Sequence, residues 1–121
     1  MIATAHSDST RRDESDMTID VVITALSDPT RRGALRLVRD AELSAGEIAA
    51  AFPTLSRPAV SQHLRVLIDA GLVAVRRDGN RRLYRSRTEA LAPVSAFIDD
   101  MWSNRLQDLK RVAETKARRA R

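Results

Sequence analysis

The chain has 121 residues, 43% of them hydrophobic, no cysteine, and a net charge of +5 at pH 7. This length fits one small domain with tails, and the absence of cysteine excludes disulfides, thiolate zinc sites and thiol redox switches. No apolar run approaches the roughly 20 residues that span a bilayer, and residues 1–16 lack the apolar segment of a secretion signal, so a cytoplasmic location is expected.

The first part of the chain carries three helix signals. Residues 1–16 are polar and without periodicity, which predicts a flexible tail. Residues 17–26 have helical apolar spacing, and Asp28-Pro29 then supplies an N-cap and a proline suited to the first helical turn. This second helix is predicted to carry Arg31 on its outer face. Ser44-Ala45-Gly46-Glu47 has the form of a capping box and predicts a short third helix.

A fourth helix is predicted between Ser56, its N-cap, and Gly71. Val60, Leu64 and Leu67 recur at helical spacing and form one buried stripe, which leaves a polar face. The side-chain types on and beside that face are those that read base edges and bind phosphates. The predicted DNA-binding residues of this helix are Ser56, Arg57, Ser61, Gln62, His63 and Arg65. For His63 a packing role is an equal alternative.

After Gly71 the apolar period changes to about 2, which predicts two short strands joined by Asp78-Gly79-Asn80 as a hairpin wing. The stretch from Arg57 to Arg87 holds eight arginines and two acids, a net charge of +6. Such clustering favours a phosphate backbone as partner, and the four aromatic residues are too few for a single-strand stacking platform. The predicted contacts of the wing with duplex DNA are Arg77, Arg81 and Arg82.

A long last helix is predicted from Thr88 to about Ala117. Its apolar stripe exceeds what a small domain can cover, which favours a symmetric dimer through the first and last helices. The alternative is a helix folded wholly against its own core. The predicted seam consists of Ile19, Val22, Ile23, Leu26, Ile98, Met101, Trp102, Leu106 and Leu109.

The fold class predicted from these elements is mainly α (α+β): a winged helix-turn-helix of about five helices with a two-stranded β-hairpin wing. The domain is expected to span 17–114, followed by a basic tail over 115–121. Separated motifs resemble, in order, the ArsR/SmtB family of winged-helix repressors over roughly residues 18–112. They are Asp28-Pro29-Thr30-Arg31-Arg32, Ser56-Arg57-Pro58-Ala59-Val60-Ser61-Gln62-His63-Leu64, Ala70-Gly71-Leu72-Val73 and Gly79-Asn80-Arg81-Arg82-Leu83-Tyr84.

The resemblance implies a homodimer that binds a palindromic operator in double-stranded DNA and releases it when an effector binds; the sequence does not identify the effector. Thiolate metal sensors of this family carry two cysteines where this chain has Ser44 and Gly46, so that site is lost. The family's other metal site lies on the last helix, which here has no histidine. The acids available there are Asp99, Asp100, Asp108 and Glu114.

A metal-free dimeric repressor without cofactor is therefore the leading hypothesis. An oxygen-ligand metal sensor on the last helix is one alternative, although oxygen-only ligands suit Mg²⁺ or Ca²⁺ better. A protein-interaction module that uses the winged helix as a scaffold is the other. An enzyme is not expected, because no nucleophile with a His-carboxylate partner and no glycine-rich phosphate loop is present.

Overall fold

The computed structural model describes residues 18–120, which form five α-helices and three β-strands. The helices are α1 (18–26), α2 (Pro29–Leu37), α3 (Ala45–Ala50), α4 (Arg57–Asp69) and α5 (Ala92–Arg119). The strands are β1 (Leu43–Ser44), β2 (Val73–Asp78) and β3 (Arg81–Ser86), and a 3₁₀ turn (Thr88–Leu91) precedes α5. The predicted winged helix-turn-helix class is confirmed. The predicted tail over 1–16 lies outside the described residues.

Local hydrogen bonds confirm the predicted helix starts. The N–H of Arg31 donates to Asp28 Oδ1 at 3.1 Å. At α3 the Glu47 N–H donates to Ser44 Oγ at 3.2 Å and the Ser44 N–H donates to Glu47 Oε1 at 3.0 Å, which completes the capping box. Ser56 caps α4 through its side chain in the same way as Ser44 caps α3. Donors that a helix start leaves unpaired are thereby satisfied.

Helix α4 ends in a Schellman motif. Gly71 has a φ of 77°, its N–H donates to the Ile68 carbonyl at 2.9 Å, and the Leu72 N–H donates to the Leu67 carbonyl at 3.0 Å. A glycine is favoured here because L side chains rarely adopt positive φ. The motif turns the chain directly from α4 into β2.

The sheet has three strands in the order β1-β3-β2, all antiparallel. The predicted two-stranded wing is thus extended by β1, in which Leu43 pairs with Tyr84. Two residues are too few to show a period, so the sequence pattern did not reveal β1. The hairpin loop consists of Gly79 and Asn80, with Gly79 at a φ of 64°. Glycine at the first central position with negative φ at the second fits a type II′ turn.

The core lies between α1–α4 and the sheet, and α5 contributes no buried residue to it. Its members are Val22, Ala25, Ala34, Val38, Ile48, Val60, Leu64, Leu67, Leu72, Val73 and Tyr84. Val22 is 1% exposed, so its predicted place in a dimer seam is wrong: the side chain faces its own core. Leu26 also packs partly against this core.

Two other predictions about chain organisation need correction. Helix α5 ends at Arg119, beyond the predicted end near Ala117, and its last turn carries Lys116, Arg118 and Arg119, cations that interact favourably with the helix dipole. The predicted basic tail is therefore mostly helical. Arg31 is not on an outer face but half-buried against the end of α1.

Among residues 18–120, no helix combines the length and the apolar character that a membrane-spanning segment needs.

Candidate nucleic-acid interface

Helix α4 presents a polar face because its apolar residues are held in the core on the other side. Val60, Leu64 and Leu67 are buried. Of the six predicted contact residues in and before this helix, all but one are exposed: Ser56, Arg57, Ser61, Gln62 and Arg65. The exception is His63, which is half-buried.

An open cleft of about 420 Å³ lies between α4 and the wing. It brings together Ser61, Gln62 and Arg65 from the helix and Arg82 from β3. The other lining residues are Pro58, Leu64, Ile68 and Tyr84. The cleft therefore combines hydroxyl, amide and guanidinium donors on a floor of apolar side chains. These are the groups that hydrogen-bond base edges and phosphate oxygens.

The wing places a second predicted arginine beside Arg82. In the β2–β3 register Arg77 pairs with Arg82, and both are exposed. The Cβ atoms of directly opposed residues on antiparallel strands are about 5 Å apart, and like charges on two such side chains are unfavourable. The repulsion is relieved when an anion binds between them, so this pair is suited to a phosphate group.

Two other wing arginines are engaged by acids. Arg76 donates to both carboxylate oxygens of Glu42 at 2.7 and 2.9 Å, and Arg81 donates to Glu47 Oε1 at 2.9 Å. The Arg76 hydrogen bond lowers the pKa of Glu42, and Glu42 in turn raises the pKa of Arg76. The pKa of Glu47 is lowered chiefly by the backbone N–H of Ser44 and further by Arg81. Both ion pairs connect the wing to the segment around β1 and α3.

The first arginine of α4 lies close to the start of α3. A Cβ atom built on Gly46 would come within 3.6 Å of Arg57 Nη2. Arg65 forms an exposed i,i+4 ion pair with Asp69 at 3.7 Å. Exposed pairs of this kind contribute little to stability, about 0.3–0.5 kcal/mol, so the guanidinium of Arg65 is only weakly held by Asp69.

The structure supports the packing alternative for His63. Its Nδ1 lies 3.4 Å from Arg31 Nη1 and 4.0 Å from Asp28 Oδ1, and its side chain is 22% exposed. His63 is absent from the lining of the α4–wing cleft. The predicted DNA contact through this residue is not supported, because its ring faces the α1–α2 junction.

A second surface consists of exposed apolar side chains on α5 and α1. The members from α5 include Trp102, the only tryptophan, which is 55% exposed. The others are Phe97, Ile98, Met101, Leu106, Leu109 and Val112 from α5 and Ile23 from α1. Ile19 and Ile23 share a cleft of about 410 Å³ with Phe97, so α1 and α5 form one continuous apolar face.

Sequence reasoning missed three residues that this arrangement uses. Phe97 precedes Met101 by four residues, so the helical spacing could have placed it on the apolar face. The two-residue period around Tyr84 predicts a strand, but it does not show which element the side chain meets. Arg31 has no local signal of burial, because its partners lie on two other helices.

Within residues 18–120, no group of three histidine or acidic side chains is arranged to hold a metal ion. On α5 the carboxylate of Asp108 is paired with Arg111.

A helix-turn-helix domain family matches residues 26–76. An HTH-type transcriptional regulator of Mycobacterium tuberculosis is 43% identical over 82 residues, which is 68% of this chain and 76% of the relative. The structure of an ArsR-like transcriptional regulator from Rhodococcus sp. RHA1 superposes with a TM-score of 0.66 at 32% identity, over 83% of this chain and 96% of the other.

A third similar protein is a homodimeric winged helix-turn-helix DNA-binding domain from Mycobacterium bovis, a possible ArsR-family regulator. Its solution structure gives a TM-score of 0.62 at 28% identity, over 81% of this chain and 90% of the other. Both the sequence and the fold agree with these relatives over more than two thirds of the chain, and the chain belongs to the ArsR family of winged helix-turn-helix transcriptional regulators.

Proposed function

We propose that the protein is a homodimeric repressor that places α4 in the major groove of duplex DNA and the β2–β3 wing on the adjoining backbone. One observation carries the proposal: Ser61, Gln62, Arg65 and Arg82 line a single open cleft between helix and wing. The major groove admits an α-helix, and its base edges carry a distinct pattern of donors and acceptors. This activity belongs in the cytoplasm, the location expected from the sequence.

The cleft residues divide into two roles. Gln62 and Arg65 read bases, because an amide can pair with adenine and a guanidinium with guanine in bidentate fashion. Arg77 and Arg82 bind phosphates, which positions the protein without reading sequence. Arg57 and Arg81 are not among the residues that line the cleft, and their charges add to the general attraction for the backbone.

The exposed apolar face of α5 and α1 is where a second copy binds. Helix α5 has 28 residues, which at 1.5 Å per residue is a rod of about 42 Å. Seven large apolar side chains of α5 are exposed along it, and an exposed apolar surface of this extent is typical of a protein–protein interface. The relative from Mycobacterium bovis is itself homodimeric. A two-fold dimer presents two α4 helices and therefore selects a palindromic operator.

The test is selection of duplexes from a randomised library by the purified protein, followed by titration of a selected duplex at several salt concentrations. We expect a palindromic consensus and a slope of log K against log salt of about −0.9 for each phosphate neutralised. If the protein enriches no sequence and its binding does not depend on salt, it is not a repressor of this kind. If it is nevertheless dimeric, the interaction-module alternative is favoured.

A further inference from the structure

Three helices meet at the guanidinium of Arg31, a residue of α2. Its Nε donates to the Ala25 carbonyl at 2.7 Å and its Nη2 donates to the Thr24 carbonyl at 3.0 Å. Both carbonyls belong to the last turn of α1. Its third nitrogen, Nη1, lies 3.4 Å from Nδ1 of His63 on α4. All three nitrogens of one side chain thus face partners on two different helices.

The contacts to α1 reach carbonyls at the C-terminal end of the helix; that of Thr24 also accepts from the N–H of Ser27 at 3.2 Å and from its Oγ at 2.6 Å. The last carbonyls of an α-helix have no intrahelical donor and carry the negative end of its dipole. A planar guanidinium can reach two of them and still present a further N–H in a fixed direction. The neighbouring Arg32 also reaches α1, through Nη1 to the Leu26 carbonyl at 2.7 Å, but within residues 18–120 it donates no hydrogen bond to α4.

His63 occupies a defined place on α4. At about 100° per residue, His63 and Ser61 lie on opposite flanks of the buried stripe formed by Val60, Leu64 and Leu67. Ser61 faces the wing cleft. The Arg31–His63 contact therefore fixes the flank of α4 that the wing does not hold.

We propose that Arg31 is a positioning residue for operator recognition, which holds α4 at a set orientation relative to α1. This inference rests on the proposed function, in which α1 belongs to the dimer seam and α4 reads the operator. Through Arg31 the two surfaces move as one body, so each recognition helix keeps its place relative to the two-fold axis. Half-site spacing is then fixed by the protein.

The test compares Arg31→Lys with Arg32→Lys in the full chain. Lysine keeps the positive charge but is a point charge without the fork, so it cannot bridge two carbonyls and an imidazole. For Arg31→Lys we expect the Kd for a duplex selected by the wild type to rise about tenfold, the size expected for a lost charged hydrogen bond. The Kd for an unselected duplex of equal length and the dimer dissociation constant should not change. For Arg32→Lys all three constants should equal those of the wild type.

A second pair of variants tests the partner. His63→Gln keeps an acceptor that Arg31 can reach, and His63→Leu removes it. We expect His63→Gln to preserve the Kd for the selected duplex and His63→Leu to raise it about tenfold. The double variant of His63→Leu with Arg31→Lys should raise this Kd no further than the more severe of the two single substitutions.

Equal losses for selected and unselected duplexes, or no loss in Arg31→Lys, would overturn the positioning role. If Arg31→Lys fails to fold, by far-UV circular dichroism, the two His63 variants decide the question. A wild-type protein that selects no duplex would instead refute the proposed function itself.

Discussion

The Oε1 atom of Glu47 accepts a hydrogen bond from Arg81 Nη2 at 2.9 Å and one from the N–H of Ser44 at 3.0 Å. One carboxylate therefore completes the capping box of α3 and holds an arginine of the wing. Because Arg81 is proposed to attract the DNA backbone, Glu47 competes with phosphate for the same guanidinium.

Glu47→Gln should therefore strengthen DNA binding. Glutamine still completes the capping box, while the competing charge is removed. We expect a Kd lowered severalfold on selected and unselected duplexes alike and a salt slope steeper by up to about 0.9. The control Asp40→Asn makes the same change of net charge at an exposed ion pair with Arg39. Equal effects of the two substitutions would mean that only net charge had acted.

Gln62→Ala and Arg82→Ala should weaken DNA binding in different ways. Loss of the amide on α4 should cost about 1–3 kcal/mol on the selected duplex and little on an unselected one, because it removes a base contact. Loss of Arg82 should weaken both duplexes similarly and reduce the salt slope by about one phosphate, roughly 0.9. Fluorescence anisotropy at several salt concentrations measures both. Identical profiles for the two variants would contradict the division of roles in the cleft.

Leu106→Glu should dissociate the dimer and abolish operator binding. Leu106 is 59% exposed in the single chain, and a second copy would bury it in an apolar seam that cannot solvate a carboxylate. Gln107→Glu adds the same charge on the polar side of α5 and should leave the dimer intact. Sedimentation equilibrium measures both. A wild-type protein that is a folded monomer at micromolar concentration would reject the seam.

The Glu42–Arg76 ion pair should make stability depend on pH. Arg76 holds the pKa of Glu42 below its usual value of 4.5. A carboxyl group whose pKa is lower in the folded than in the unfolded protein stabilises the fold above the unfolded pKa, and this stabilisation disappears as the pH falls through the folded pKa.

Glu42→Gln should accordingly lower the free energy of unfolding at neutral pH. At a pH below the folded pKa of Glu42, the variant and the wild type should have the same free energy of unfolding. Urea denaturation followed by circular dichroism across the acidic range measures the difference from the wild type. A difference that does not vary with pH would show that the ion pair contributes nothing through its charge.

Thiophilic metals should leave operator binding unchanged. The chain has no cysteine and two histidines, His6 and His63, and the ring of His63 faces Arg31 and Asp28. Soft and borderline metals prefer thiolate or imidazole ligands in a fixed geometry. Titration of the operator complex with Zn(II), Cd(II) and As(III) at micromolar concentrations tests this. Release by any of them that is lost in Asp99→Asn or Glu114→Gln would establish a carboxylate site on α5.

The sequence alone determined the features that depend on residues a few positions apart. The caps formed by Asp28, Ser44 and Ser56, and the turns at Gly71 and Gly79, could all be predicted because each needs only its neighbours in the chain. The buried stripe of α4 followed from helical spacing for the same reason. The exposed reading face opposite that stripe was then a direct consequence.

The tertiary structure decided the features whose partners are distant in the chain. Arg76 with Glu42, and Arg81 with Glu47, are each separated by 34 residues, so only the fold shows which wing arginines are engaged and which are free for DNA. The pairing of β1, the burial of Val22 and the place of Arg31 between α1 and α4 depend likewise on how helices assemble. Spacing along the chain identifies the face of a helix, but it does not identify what that face meets.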